Sequence, residues 1–211
     1  GNLNEGVYLS NAQVTTIGGP DAGNTIWNNG AAGVRVQDID AISNPISRNS
    51  IDNNAGEGIE LNAGGNEEQA APTLSSAENG STHIEGTFAG DPNTTYEIEF
   101  FASPACDPSG FGEGRDYIGD LLLLTDGNGD ATIDGTLAPT TPAGQAVTAT
   151  ATSPTANTSE FSNCVTVTGS ATATPTPTAS PTPSATQSTS PTASPTASPT
   201  ATPPAVLKGD A

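Results

Sequence analysis

The chain has 211 residues, and 23 Asp and Glu against four Lys and Arg give it a formal net charge of −19. That balance excludes a nucleic-acid footprint, which needs a basic stripe, and disfavours docking on anionic membranes. No apolar run approaches the ~18 residues of a membrane span, and Met is absent even at position 1, so the chain is expected to be a piece of a longer protein.

Residues 1–66 are rich in Gly and Asn and contain an internal repeat. Asn24-Thr25-Ile26-Trp27-Asn28-Asn29 returns as Asn49-Ser50-Ile51-Asp52-Asn53-Asn54, an offset of 25 residues (49 − 24). The same offset carries Gly33-Val34-Arg35-Val36 onto Gly58-Ile59-Glu60-Leu61, and Gly6-Val7-Tyr8-Leu9 precedes Gly33 onward by 27 (33 − 6). A period in the twenties with one strand-like triplet per round indicates a solenoid. A leucine-rich repeat would need a Leu scaffold and a helix-length segment, and neither is present. Alternation within each triplet sends the outer residues inward and the middle one outward. Stacked one strand spacing apart, the rounds then form inward columns Val7/Val34/Ile59 and Leu9/Val36/Leu61. The outward column Tyr8/Arg35/Glu60 puts Arg35 beside Glu60, a cross-strand pair worth ~0.2–1 kcal/mol. Ile26 points inward by alignment with Ile51, so Trp27 points outward in a column with Asp52. An exposed indole beside a carboxylate makes Trp27 and Asp52 candidate glycan contacts, set against coverage of Trp27 by a loop or by the following domain. The stacked pairs Asn24/Asn49 and Asn28/Asn53 read as ladders that satisfy backbone groups at the corners.

Asn-Thr-Ile-x-Asn-Asn-Gly followed by Gly-Val-x-Val, together with the Thr16-Ile17-Gly18-Gly19 turn, resembles the right-handed parallel β-helix repeats of bacterial exported proteins. That superfamily includes pectate lyases and related polysaccharide-acting enzymes, along with surface proteins of unknown role. The resemblance implies that residues 1–66 are C-terminal coils of such a β-helix. A lyase on this fold would need calcium-binding carboxylates and a basic residue to remove the uronate α-proton. Only Arg35 and Arg48 are available within the coils; Glu60 accounts for Arg35, and a solvated role suits Arg48. Asp38, Asp40 and Asp52 form an acidic set that surface solubility explains equally well. No catalytic residue is assigned in this segment.

Residues 70–169 read as about seven β-rich runs between Gly, Pro, Asn and Asp clusters: 72–76, 82–88, 95–103, 116–125, 131–138, 145–152 and 160–168. Seven short strands over ~100 residues suggest an Ig-like β-sandwich. Tyr96, Ile98 and Phe100 alternate with Glu97 and Glu99, and Val147, Ala149 and Ala151 alternate with Thr148, Thr150 and Thr152. The region resembles the Ig-like module that often follows such coils, notably in Tyr96-Glu97-Ile98-Glu99-Phe100-Phe101, Ala105-Cys106-Asp107-Pro108 and Asn157-Thr158-Ser159-Glu160-Phe161-Ser162. In an exported domain Cys106 and Cys164 suggest a disulfide, the alternative being two unpaired thiols. Asp126-x-Asn128-x-Asp130 copies the start of an EF-hand loop. Position six is Ala131 rather than Gly and position twelve Leu137 rather than Glu, so a hairpin turn is expected there and no metal site. His83, the only histidine, lies on an expected strand with no nearby nucleophile in sequence.

From Ser170 to Ala205 the chain uses only Ser, Thr, Pro and Ala apart from Gln187, and it carries half of all the prolines. Such a composition cannot bury a core, so a disordered Pro/Thr/Ser/Ala linker is expected over 170–207. Lys208-Gly209-Asp210-Ala211 resembles the opening of a type I dockerin. That would imply calcium in a module that follows, a cohesin partner and a cellulosome-like complex.

The expected whole is all-β: β-helix coils (1–66), an Ig-like sandwich (70–169), the disordered linker and the start of an anchoring module (208–211). The expected function is a non-catalytic segment of an extracellular or cell-surface modular protein, in adhesion or in binding polysaccharide or cell-surface glycan. The alternative is the C-terminal part of a pectate lyase-like enzyme whose active coils lie upstream. No cofactor, nucleic-acid partner or membrane span is expected in this segment.

Overall fold

The computed structural model describes residues 1–79, 82–138 and 140–169, and these are all-β. The expected linker and dockerin-like tail lie outside the described residues.

The first half carries strands β1 (Val7–Ser10), β2 (Ile17–Gly18), β3 (Thr25–Trp27), β4 (Val34–Gln37), β5 (Ile46–Ser47), β6 (Ser50–Asp52) and β7 (Ile59–Asn62). They form three parallel ladders, β1-β4-β7, β2-β5 and β3-β6. The register sets Val7 against Val34 and Val34 against Ile59, Leu9 against Val36 and Val36 against Leu61. Tyr8, Arg35 and Glu60 share the outward row, as do Trp27 and Asp52. Ile17, Ile26, Val34, Val36, Ala41, Ile46, Ile51 and Ile59 fill the interior between the ladders. The doubled asparagines make the corners: Asn28 and Asn53 sit at φ 58 and 57, a left-handed conformation that Asn tolerates better than most residues.

The β2-β5 ladder was not foreseen. The round is longer here, with Thr15 meeting Asn44 at a separation of 29 residues, whereas Arg35 meets Glu60 at 25. The corner ladders also differ in part from expectation. Asn24 donates to Asn49 as foreseen, and the Asn53 amide donates to Asn28 on the outside. The backbone at that second corner is satisfied one residue further on, where Asn29 N–H and Nδ2 both donate to Asn54 Oδ1 at 3.0 and 2.8 Å.

The second half is built from β8 (Thr73–Glu78), β9 (His83–Ala89), β10 (Thr95–Ser103), β11 (Asp116–Leu124), β12 (Asp130–Thr136), β13 (Ala146–Thr152) and β14 (Val165–Thr166). These pair antiparallel into two sheets, β12-β9-β8 and β11-β10-β13-β14. Leu74, Ile84, Phe88, Tyr96, Ile98, Phe100, Ile133 and Val147 form the core between them. The turn at 126–130 is not a hairpin, because β11 and β12 belong to different sheets and the turn crosses from one to the other. Asp126 closes it by accepting from Asn128 N–H and Asp130 N–H at 2.7 and 3.0 Å. The seventh expected run is a strand only at Val165–Thr166, with isolated bridges at Asn163 and Thr168, while residues 157–161 turn to the coils.

The described residues all fall within one compact unit. The contact is made by β10, which is buried on both faces: Tyr96, Ile98 and Phe100 enter the sandwich core, while Phe101 joins the core of the coils with Phe161. The two rings meet edge to face at 5.4 Å. Burying rings of this size contributes roughly 1.5–3 kcal/mol each. Thr148 and Thr150 on β13, which alternation alone would place in solvent, are buried as well.

Candidate functional site

The end strands of the parallel ladders leave main-chain N–H groups without a following strand, and burying them unpaired would be costly. Here the sandwich supplies the acceptors. Asn157 Oδ1 takes Ser43 N–H at 2.6 Å, and Thr158 Oγ1 takes Ile46 N–H at 2.9 Å. Glu99 Oε2 takes Arg48 N–H at 2.9 Å, and the Gly114 carbonyl takes Ile51 N–H at 2.8 Å. Glu113 takes Asn54 N–H at 3.1 Å, and Glu160 takes Leu61 N–H at 2.8 Å. Two asparagine ladders also end on the sandwich. The Asn29–Asn54 chain passes to Glu113 through Asn54 Nδ2 at 2.6 Å, and the chain from Thr15 through Asn44 and Asn66 reaches the Thr158 carbonyl.

Burial raises the pKa of Glu99, Glu113 and Glu160, while the hydrogen bonds they accept pull the other way. Glu99 also accepts from Ser47 Oγ at 2.6 Å and is only 1% exposed.

Two arginines clamp the joint reciprocally. Arg48, from the coils, lies 4.8 Å over the Tyr117 ring of the sandwich and 3.2 Å from Asp120. Arg115, from the sandwich, lies 4.8 Å over the Trp27 ring of the coils, with Asp52 at 3.9 Å. Contacts of this kind are worth ~0.5–1 kcal/mol at exposed sites and more when desolvated. Arg35 is held between Glu5 at 2.6 Å and Glu60 at 2.5 Å.

Trp27 and Asp52 thus sit side by side, facing the sandwich. They line one wall of an open cleft of about 460 Å³, together with Asn28 and Asn53; the loop Pro104–Pro108 forms the other wall. The indole is fixed in place, because its N–H donates to Ser50 Oγ at 3.1 Å while the Arg115 guanidinium covers the ring. The loop is anchored by the Cys106–Cys164 disulfide. His83 lies away from the cleft on β9, hydrogen-bonded to Asp134 at 2.8 Å, which raises its pKa. Among the described residues no group of three or more His, Cys, Asp or Glu side chains could hold a metal ion. Nor is any helix among them long and apolar enough to cross a membrane.

No protein-family model and no curated protein matches the chain. Sequence reasoning did not find the acceptors Glu99, Glu113, Glu160, Asn157 and Thr158, nor Arg115 as the cover of Trp27. The available signal was Asn157-Thr158-Ser159-Glu160-Phe161, a polar segment with one aromatic where an edge strand was expected.

Proposed function

We propose that this is a non-catalytic segment of an exported modular surface protein, serving adhesion or glycan-associated binding. In this reading the first half is the end of a right-handed parallel β-helix, and the second an Ig-like sandwich that closes it. The Pro/Thr/Ser/Ala segment then spaces the pair from an anchoring module. The observation that carries the reading is the joint. Acceptors drawn from β10, from the 113–114 segment and from 157–160 meet the open N–H groups of the last round, so the two halves are joined into one compact unit. The two arginines in the coils are spent on structure, Arg35 on Glu5 and Glu60, and Arg48 on Tyr117, Glu99 and Asp120. Neither is presented as a base to a bound uronate. The test is retention of the whole chain on insoluble cell-wall polysaccharides, run beside an absorbance assay for unsaturated product from pectate with calcium. Retention without product is expected. Product formation would replace the binding role with the enzymatic one.

A further inference from the structure

We infer that the cleft between Trp27 and the disulfide-anchored loop is a subsite for a neutral saccharide unit and rejects uronates; the inference rests on the glycan-binding role proposed above. About 460 Å³ lies within the ~300–1,000 Å³ of small-molecule sites. Its walls combine two kinds of surface. The indole of Trp27 and the rings of Pro104 and Pro108 offer apolar area to the C–H faces of a sugar. Beside the indole, Asn28, Asn53 and Asp52 add amides and a carboxylate, which suit hydroxyl groups that donate and accept.

The site is preorganised before a ligand arrives. Ser50 and Arg115 hold the indole, the Asn53 amide donates to Asn28 Oδ1, and the disulfide fixes the facing loop. Such prior ordering lowers the entropic cost of binding. Asp52 retains acceptor capacity, since its nearest cation is 3.9 Å away, beyond hydrogen-bond length.

Charge sets the class of sugar. Asp52, Asp107 and Glu113 all line the cleft. Arg115, the neighbouring cation, lies over the Trp27 ring and is not among the residues lining the cleft. A uronate carboxylate would meet like charge with no cation among the residues lining the cleft, in a chain whose net charge is −19. A neutral hexose or pentose unit would meet acceptors and amide donors without that penalty.

Trp27 is the only tryptophan, so its fluorescence reports the site directly. The experiment titrates the whole chain with soluble cello-, xylo- and manno-oligosaccharides and with an oligogalacturonate of equal length, following fluorescence and heat. A saturable change with a neutral probe and none with the galacturonate is expected. Ala105→Phe, which fills the cleft from an exposed loop position, should weaken that binding about tenfold or more. Asp107→Asn keeps the carbonyl that accepts Ser109 N–H and should narrow the gap between neutral and acidic probes. Near-UV circular dichroism checks that both variants fold. Galacturonate binding as tight as any neutral probe, or neutral binding unchanged by Ala105→Phe, would overturn the assignment. A silent Trp27 in a chain still retained on insoluble polysaccharide would sink the cleft and leave the adhesion role standing. Loss of retention as well would sink both.

Discussion

The two halves bury their apolar residues by different means. In the sandwich, Ile98, Phe100, Ile84 and Ile133 are fully enclosed between two sheets that belong to it alone. In the coils, enclosure depends on position in the stack: Val34 and Val36 in the middle round are 0% exposed, whereas Val7 and Leu9 in the first are only partly covered. The final round owes its burial to Phe101 and Phe161, which the sandwich lends. The parallel ladders of the first half are thus closed at one end by the second half, which has a core of its own.

The sharpest way to break that contrast is to separate the halves. Expressed alone, residues 70–169 should melt cooperatively, while 1–66 should show no cooperative transition and should associate through its open strand edges. Calorimetry and sedimentation on the two fragments decide it. A monomeric, cooperatively melting 1–66 would mean that the coils do not need their cap.

Removing the disulfide comes next. Cys106 and Cys164 close a loop of about 59 residues, and on the chain-entropy model the cross-link stabilises by roughly 4 kcal/mol. The double variant Cys106→Ser, Cys164→Ser should lose a large part of that in denaturant unfolding. The intact chain, unfolded without reductant, should titrate no free thiol. The loss should also reach the coils, because the same loop leads into Glu113 and Arg115. A variant that destabilises only the sandwich would show the joint to be independent of the loop.

A smaller effect is expected from the joint itself. Glu113→Ala leaves the buried N–H of Asn54 without its acceptor and removes one of two acceptors of its side-chain amide, which keeps the Ile26 carbonyl, at a cost of about 1–3 kcal/mol. Glu113→Gln keeps a carbonyl oxygen in place and should cost less. Hydrogen exchange should localise the difference to 46–62 rather than to β9 and β12. Equal costs for the two variants would mean that charge, not acceptance, matters at this position.

Much of this arrangement was legible in the sequence, and the remainder was hidden for identifiable reasons. The repeat of Val7, Val34 and Ile59 gave the register, because stacked rounds must place like residues in like environments. Trp27 could be set beside Asp52 by the same reasoning. The β2-β5 pair escaped because turns of unequal length shift its spacing away from that of its neighbours. Glu99, Thr148 and Thr150 alternate with apolar residues, a pattern that ordinarily means exposure, yet all three are buried. Ser47 lies 52 residues from Glu99 and Glu113 lies 35 from Thr148, and no local pattern announces such distant neighbours. The same holds for Arg115: a single cation in a loop carries no sign that it will lie over a ring in the other half.

The finest test uses pH. Glu99, Glu113 and Glu160 have folded-state pKa values raised above the ordinary 4.5, chiefly by burial. The folded protein therefore binds protons more readily than the unfolded chain between about 4.5 and those raised values. Over that window stability must fall as pH rises, and the stabilisation is fully present only below the unfolded pKa. Protonation lessens the cost of burying charge, and one oxygen of each carboxyl can still accept from the coil. His83 slopes the same way, because its raised pKa makes its contribution decline as pH climbs through the folded value. It belongs to the outer sheet, so His83→Gln provides the background in which the joint is measured. Asp126 is lowered by its turn hydrogen bonds and acts oppositely, but only below its ordinary value of 3.8, outside the window. In the His83→Gln background, unfolding free energy should rise as pH falls from neutral towards 4.5. Replacing Glu99, Glu113 and Glu160 together by Gln should flatten that slope. A slope unchanged by the triple replacement would place the titrating groups elsewhere, and the buried carboxylates would then act as acceptors alone.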